Sequence, residues 1–107
     1  MIDIYLTLKV ITMSQLKIKT PDYLFMLFKT ATPSLEAVAN IYYPHLSKSK
    51  ILEKARNHEF PFCCFRMDNS QKSPYFVDIL DLAFVIEERY KIHYEDFLNA
   101  AKKISTL

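Results

Sequence analysis

The chain changes its hydrophobic rhythm near residue 20. Before it, Ile2, Ile4, Leu6, Leu8 and Val10 recur at every second position, the period of a strand. The same run reads equally as a segment upstream of a natural start at Met13. Residues 1–19 are therefore set apart as an N-terminal extension, and residues 20–107 are taken as the domain. Beyond the change the spacing is helical. Thr20-Pro21-Asp22 predicts a helix start, with Thr20 as N-cap, Pro21 in the first turn and Asp22 favourable to the helix dipole. The body that follows, Tyr23, Leu24, Phe25, Met26, Leu27 and Phe28, is apolar nearly all round. Such a helix must be covered on more than one side, by the chain's own core or by a dimer partner.

Thr32-Pro33-Ser34 repeats the start signal. Leu35, Val38, Ala39 and Tyr42 then recur at helical spacing. Pro44 ends that helix near Tyr43, because the residue before a proline avoids helical geometry. Ser47 is placed to cap a third helix over 47–56. There Ile51, Leu52 and Ala55 face inward, and Lys48, Lys50, Lys54 and Arg56 face outward. Asn57 is the expected left-handed stop, in place of a glycine. Phe62-Cys63-Cys64-Phe65-Arg66-Met67 reads as a strand, 68–73 as a polar turn and Tyr75-Phe76-Val77 as the return strand. Asp78 then caps a C-terminal helix, with Asp81 three positions on in a near capping-box arrangement. Leu82, Ile86, Tyr90, Phe97, Ala101 and Ile104 carry that helix onward, in one piece or with a break near His93. The order helix, helix, hairpin, helix predicts a mostly α protein with a small β-hairpin. It is that of a winged helix-turn-helix of the excisionase-like kind, with a long C-terminal helix.

Composition removes several classes of function. The chain has no glycine, which excludes glycine-rich phosphate loops and dinucleotide fingerprints. Cys63 and Cys64 are adjacent and point to opposite faces of a strand, so they make no ordinary disulfide. With no spaced cysteine pair, a reduced, cytoplasmic protein is expected. No run approaches the roughly 20 apolar residues of a membrane span, so no membrane partner is expected. His45, His58 and His93 lack metal-ligand spacing, and Cys63-Cys64 is not a CxxC. Neither a metal nor another cofactor is expected. No nucleophile, base and orienting acid stand together, so the chain does not read as an enzyme.

A formal net charge of +2 does not by itself predict a nucleic-acid partner, so its distribution decides. Residues 47–72 hold Lys48, Lys50, Lys54, Arg56, Arg66 and Lys72 against Glu53, Glu59 and Asp68, a local excess of three positive charges. Residues 73–107 hold four bases and six acids, net −2. The positive excess thus falls on the third helix and the hairpin. Near the N-terminal end of that helix, Lys48, Ser49 and Lys50, with Glu53, are candidates for reading bases. Ser47 and Ser49 are candidate phosphate donors, helped by the helix N-terminus. Lys54 lies on the same helix, and His45 in the turn before it. In the hairpin, Asn69, Ser70, Gln71 and Ser73 offer donors, Lys72 adds a charge, and Arg66 either braces the loop or reaches the DNA backbone. A basic helix face or a polar turn is ordinarily only a solvated surface. Their joint occurrence in winged-helix order points to double-stranded DNA.

Leu35-Glu36-Ala37-Val38, Tyr43-Pro44-His45-Leu46-Ser47, Phe65-Arg66-Met67, Ser70-Gln71-Lys72-Ser73 and Asp81-Leu82-Ala83 together resemble the pyocin activator (PrtN) family. The similarity covers roughly residues 20–97 and is most specific in the Pro-His-Leu-Ser and Ser-Gln-Lys-Ser segments. The resemblance implies a small bacterial transcription activator, similar in role to phage late-gene regulators. It would bind DNA upstream of genes for phage-tail-like bacteriocins, or of prophage-type genes, and turn them on after DNA damage. Pro44, His45, Leu46 and Ser47 are the matching residues at the helix-turn junction. Arg66, Ser70, Gln71, Lys72 and Ser73 match in the wing. The glycine that often precedes the wing in such folds is replaced by Asn57-His58-Glu59. Expected partners are double-stranded DNA, a second copy of the chain through the first and last helices, and RNA polymerase. The rival reading is a protein-interaction module of the same fold that binds another regulator or a polymerase subunit. Salt bridges from the basic helix to Glu87, Glu88, Glu95 or Asp96 would favour that rival.

Overall fold

A computed structural model describes residues 18–105. The strand-like run at 2–10 and the alternative start at Met13 lie outside the described residues. Within them the chain is mostly helical, in the order α1 (Thr20–Phe28), α2 (Leu35–Tyr42), α3 (Lys48–Arg56), β1 (Cys64–Phe65), β2 (Phe76–Val77) and α4 (Ile79–Ser105). The two strands form one small antiparallel sheet with Cys64 opposite Val77 and Phe65 opposite Phe76. They are shorter than the sequence suggested, because the chain leaves strand geometry on either side of that two-residue register. Among the described residues, no helix is long and apolar enough to cross a membrane.

Side chains begin three of the helices as expected. The Ser34 hydroxyl accepts the Ala37 N–H at 3.1 Å, and the Ser47 hydroxyl accepts the Lys50 N–H at 3.3 Å. Each satisfies a backbone donor that the first turn leaves free. Asp78 accepts the Leu80 N–H at 2.8 Å. Asp81 does not close a capping box behind it. Its carboxylate accepts the Cys63 N–H at 2.7 Å, tying α4 to the segment entering β1. The N-cap of α1 is Lys19 and not Thr20, with the Lys19 N–H donating to Asp22 at 3.4 Å. Pro21 still falls in the first turn, where its missing N–H costs nothing.

The stop after α3 also differs by one residue. Asn57 has φ −92°, and His58 takes the left-handed conformation at φ 56°. The Glu59 N–H bonds to the Lys54 carbonyl at 2.9 Å and the His58 N–H to the Ala55 carbonyl at 3.3 Å. That nested pair is the Schellman arrangement, which needs its left-handed residue one position beyond the cap.

The core draws on every helix and on the link before β1. Leu24, Leu35, Val38, Ala55, Phe60, Phe62, Val77, Ile79, Leu82 and Ala83 are buried together. Phe60 and Phe62 stack with centroids 5.2 Å apart, and Tyr43 meets Phe60 edge-on at 5.1 Å. Helix α1 packs on α4, and α2 packs on both α3 and β2. The segment before α2 also lines β2. The Val77 N–H bonds to the Pro33 carbonyl at 2.9 Å, and the Leu35 N–H to the Tyr75 carbonyl at 2.8 Å. These bonds fix the hairpin beside the start of α2.

Two apolar elements are largely uncovered among the described residues. In α1 only Leu24 is buried, and Tyr23, Phe25, Met26 and Leu27 are exposed. Core burial therefore does not account for the hydrophobic breadth of α1. Helix α4 runs unbroken past His93, and every residue from Glu87 to Ile104 is exposed. It makes the molecule long, 57 Å by 34 Å by 18 Å.

Candidate nucleic-acid interface

The hairpin packs beside the start of α2 and faces the first turns of α3. Between them opens a groove of about 330 Å³ that brings Lys48 of α3 to one side and Gln71, Lys72 and Ser73 of the hairpin tip to the other. Leu46, Ile51, Leu52 and Tyr75 form its apolar lining. Leu52, expected inward, is 39% exposed for this reason. Glu36 and Asn40 of α2 also reach the groove. Sequence reasoning passed over them, although their spacing of four places them on one outer face of α2, away from Val38 and Ala39.

The start of α3 is open to solvent. Ser47, Lys48, Ser49 and Lys50 are all exposed. The Ser47 and Ser49 hydroxyls lie 3.3 Å apart. Lys50 forms an ion pair with Glu53 at 3.4 Å, one helical turn on, with both side chains more than half exposed. Such a pair is weak and easily opened. Among the described residues, none of the α4 carboxylates pairs with a base of α3. The positive face of α3 is therefore not cancelled by α4.

The remaining candidates divide by role. Lys54 is half-buried, its ammonium 5.6 Å from the Phe60 ring centroid, on the side of α3 that packs toward the core. His45 is exposed in the turn and lies tilted against Tyr43 at 6.3 Å. Arg66 is bound into the hairpin. Its guanidinium lies 4.4 Å over the Tyr75 ring, donates to the Tyr75 hydroxyl at 2.6 Å and donates to the Ser70 carbonyl at 3.4 Å. Its Nε is buried without a partner. Ser70 in turn shapes the tip. Its N–H donates to Asp68 at 2.7 Å, its hydroxyl accepts the Lys72 N–H at 3.2 Å, and its carbonyl accepts the Ser73 N–H at 3.0 Å. Arg66 and Ser70 thus hold the loop in the shape that presents Gln71 and Lys72, both exposed.

Burial pushes the Cys64 thiol up to about 11, aided by Cys63 and Asp81, so it stays a thiol near neutral pH. Burial also raises the Tyr43 phenol, and the Arg89 guanidinium of α4 offsets part of that rise. Neither group offers a nucleophile or an anion to the groove.

One comparison with known proteins agrees with the resemblance. A family profile described as Pyocin activator protein PrtN matches residues 20–92, from the start of α1 into α4. No curated protein and no solved structure gives a significant match. The match spans α1, α2, α3, the hairpin and the packed part of α4, and it covers well over half of the chain. The chain belongs to the pyocin activator (PrtN) family, a family of regulatory proteins and not an enzyme class.

Proposed function

We propose that this chain binds double-stranded DNA as a cytoplasmic winged helix-turn-helix activator of bacteriocin-type genes. Helix α3 enters the major groove, and the 68–73 hairpin tip follows the phosphate backbone as the wing. The observation that carries this reading is the groove that sets exposed Lys48 on α3 beside Gln71, Lys72 and Ser73 on the hairpin. Ser47 and Ser49, at the α3 N-terminus, donate to phosphate, and Lys48 and Lys50 reach base edges. Gln71, Lys72 and Ser73 contact the backbone. His45 sits where a backbone contact is within reach. Arg66 and Ser70 act by holding the wing, and Lys54 by packing against Phe60.

Family membership supports the regulatory role, and the exposed bases at the start of α3, none of them paired with α4 among the described residues, support the nucleic-acid partner. The rival reading, a module that binds polymerase or another regulator, is favoured by the exposed apolar side chains of α1. The test is fluorescence anisotropy of the full chain with duplexes from upstream of its own and neighbouring genes, against scrambled duplex, at two salt concentrations. Tighter, salt-dependent binding to one fragment is expected. Equal weak binding to every duplex would remove the specificity. No binding at low salt would overturn the DNA reading and leave the interaction module.

A further inference from the structure

Helix α4 has one apolar face along its whole length, and the body of the molecule covers only its beginning. Ile79, Leu82 and Ala83 are buried in the core, and Ile86 packs at its edge. The same face continues as Tyr90, Tyr94, Phe97, Ala101 and Ile104, at spacings of four, three, four and three. That is the seam of a coiled coil. Among the described residues nothing covers it: Tyr90 is 61% exposed, Phe97 64% and Ile104 72%. Among the described residues the aromatic rings stack on one another along the helix, Tyr90 on Tyr94 at 5.8 Å and Tyr94 on Phe97 at 6.2 Å. A single helix projecting into water with its core face bare lacks the packing that stabilises most protein helices.

We propose that residues 87–105 pair with the same segment of a second copy of this chain, as a two-stranded antiparallel coiled coil. Two observations choose a second copy. The bare seam is a continuation of the chain's own core face, so a copy of that face extends the core across a twofold axis. The seam is self-complementary when antiparallel: bulky Tyr90 meets the second copy's small Ala101, and Tyr94 meets its Phe97.

Three aromatic side chains with Leu98 and Ile104 amount to about 500 Å² a copy, at roughly 150–250 Å² for a whole aromatic side chain. A standard interface buries about 800 Å² on each side, so the expected dimer is one that dissociates on dilution. The inference does not rest on DNA binding, and its test contains no DNA. The two readings therefore fail separately.

The experiment is sedimentation equilibrium of the full chain across a wide dilution series. A reversible monomer–dimer equilibrium is expected. A monomer at every concentration, or an assembly larger than a dimer, would overturn the proposal. Phe97→Asp should weaken dimerisation by about 30-fold, as loss of an interface anchor does. An unchanged dimer in that variant would place the interface elsewhere and sink the idea. Direction is read from a size exchange that leaves the packed body untouched. Tyr90→Ala and Ala101→Tyr should each weaken the dimer, and the double variant should regain most of the loss. A double variant no better than its worse parent would exclude the antiparallel register.

Discussion

Arg66 and Lys72 stand six residues apart in one hairpin and do different work. Arg66 is engaged by Tyr75 and Ser70, and only a planar guanidinium can lie over a ring and donate to its hydroxyl at once. Tyr75→Phe removes the hydroxyl and should cost about 1.5 kcal/mol in urea unfolding. A change within error would mean that the ring contact alone holds the arginine. Lys72 is exposed at the tip, and only its backbone N–H is engaged, by the Ser70 hydroxyl. If its ammonium meets phosphate, Lys72→Ala weakens binding to every duplex and lowers the salt slope by about one unit. An unaltered slope would take Lys72 out of the interface. Lys50, at the start of α3, should behave otherwise. Lys50→Ala is expected to change which sequence is preferred, and a uniform loss in anisotropy would make it a phosphate contact. Sequence reading found these residues because charge and donor chemistry are written in residue type. It could not divide the braced arginine from the exposed lysine, because that depends on where Tyr75 lies across the hairpin.

At the scale of elements, helix boundaries were legible to within a residue: the α1 cap fell at Lys19 and not Thr20, and α2 ended at Tyr43 before Pro44 as expected. Ser34, Ser47 and Asp78 cap where expected because a side-chain oxygen before a helical run has a local partner two or three residues on. The end of α3 was displaced from Asn57 to His58 because the left-handed position is set by which carbonyls the returning chain meets. A histidine held there has a Cβ crowding its own backbone. His58→Gly should therefore stabilise the protein by about 0.5 kcal/mol, the relief exceeding the added flexibility of the unfolded chain. A destabilised variant in thermal or urea melts would show that the imidazole itself contributes packing. Asp81 teaches the same lesson in reverse. Its spacing from Asp78 suggested a local cap, and the fold uses it instead to bind the Cys63 N–H, eighteen residues away.

Over the whole molecule, the packed body and the projecting half of α4 differ in what holds them. The body has a shared core, whereas residues 87–104 are exposed throughout. If two copies join along α4, folding is linked to association, and the melting temperature should rise with protein concentration. A melting temperature constant over about a hundredfold range would mean that the body folds with no help from a partner. The antiparallel pairing would also hold the two bodies about 25 Å apart, edge to edge, at 1.5 Å of rise per residue along the shared rod.

The sequence by itself determined the order of the elements, the capping serines, the basic middle of the chain and the family to which it belongs. All of these are carried by residue type and short spacing, which local chemistry can read. Tertiary structure alone decided which apolar faces are covered. The repeat along α4 is the same before and after Ile86, but the body reaches only the first part of it. Tertiary structure also set Lys48 and the hairpin tip on one groove, a placement made by the packing of β2 against the start of α2 and by no pattern along the chain.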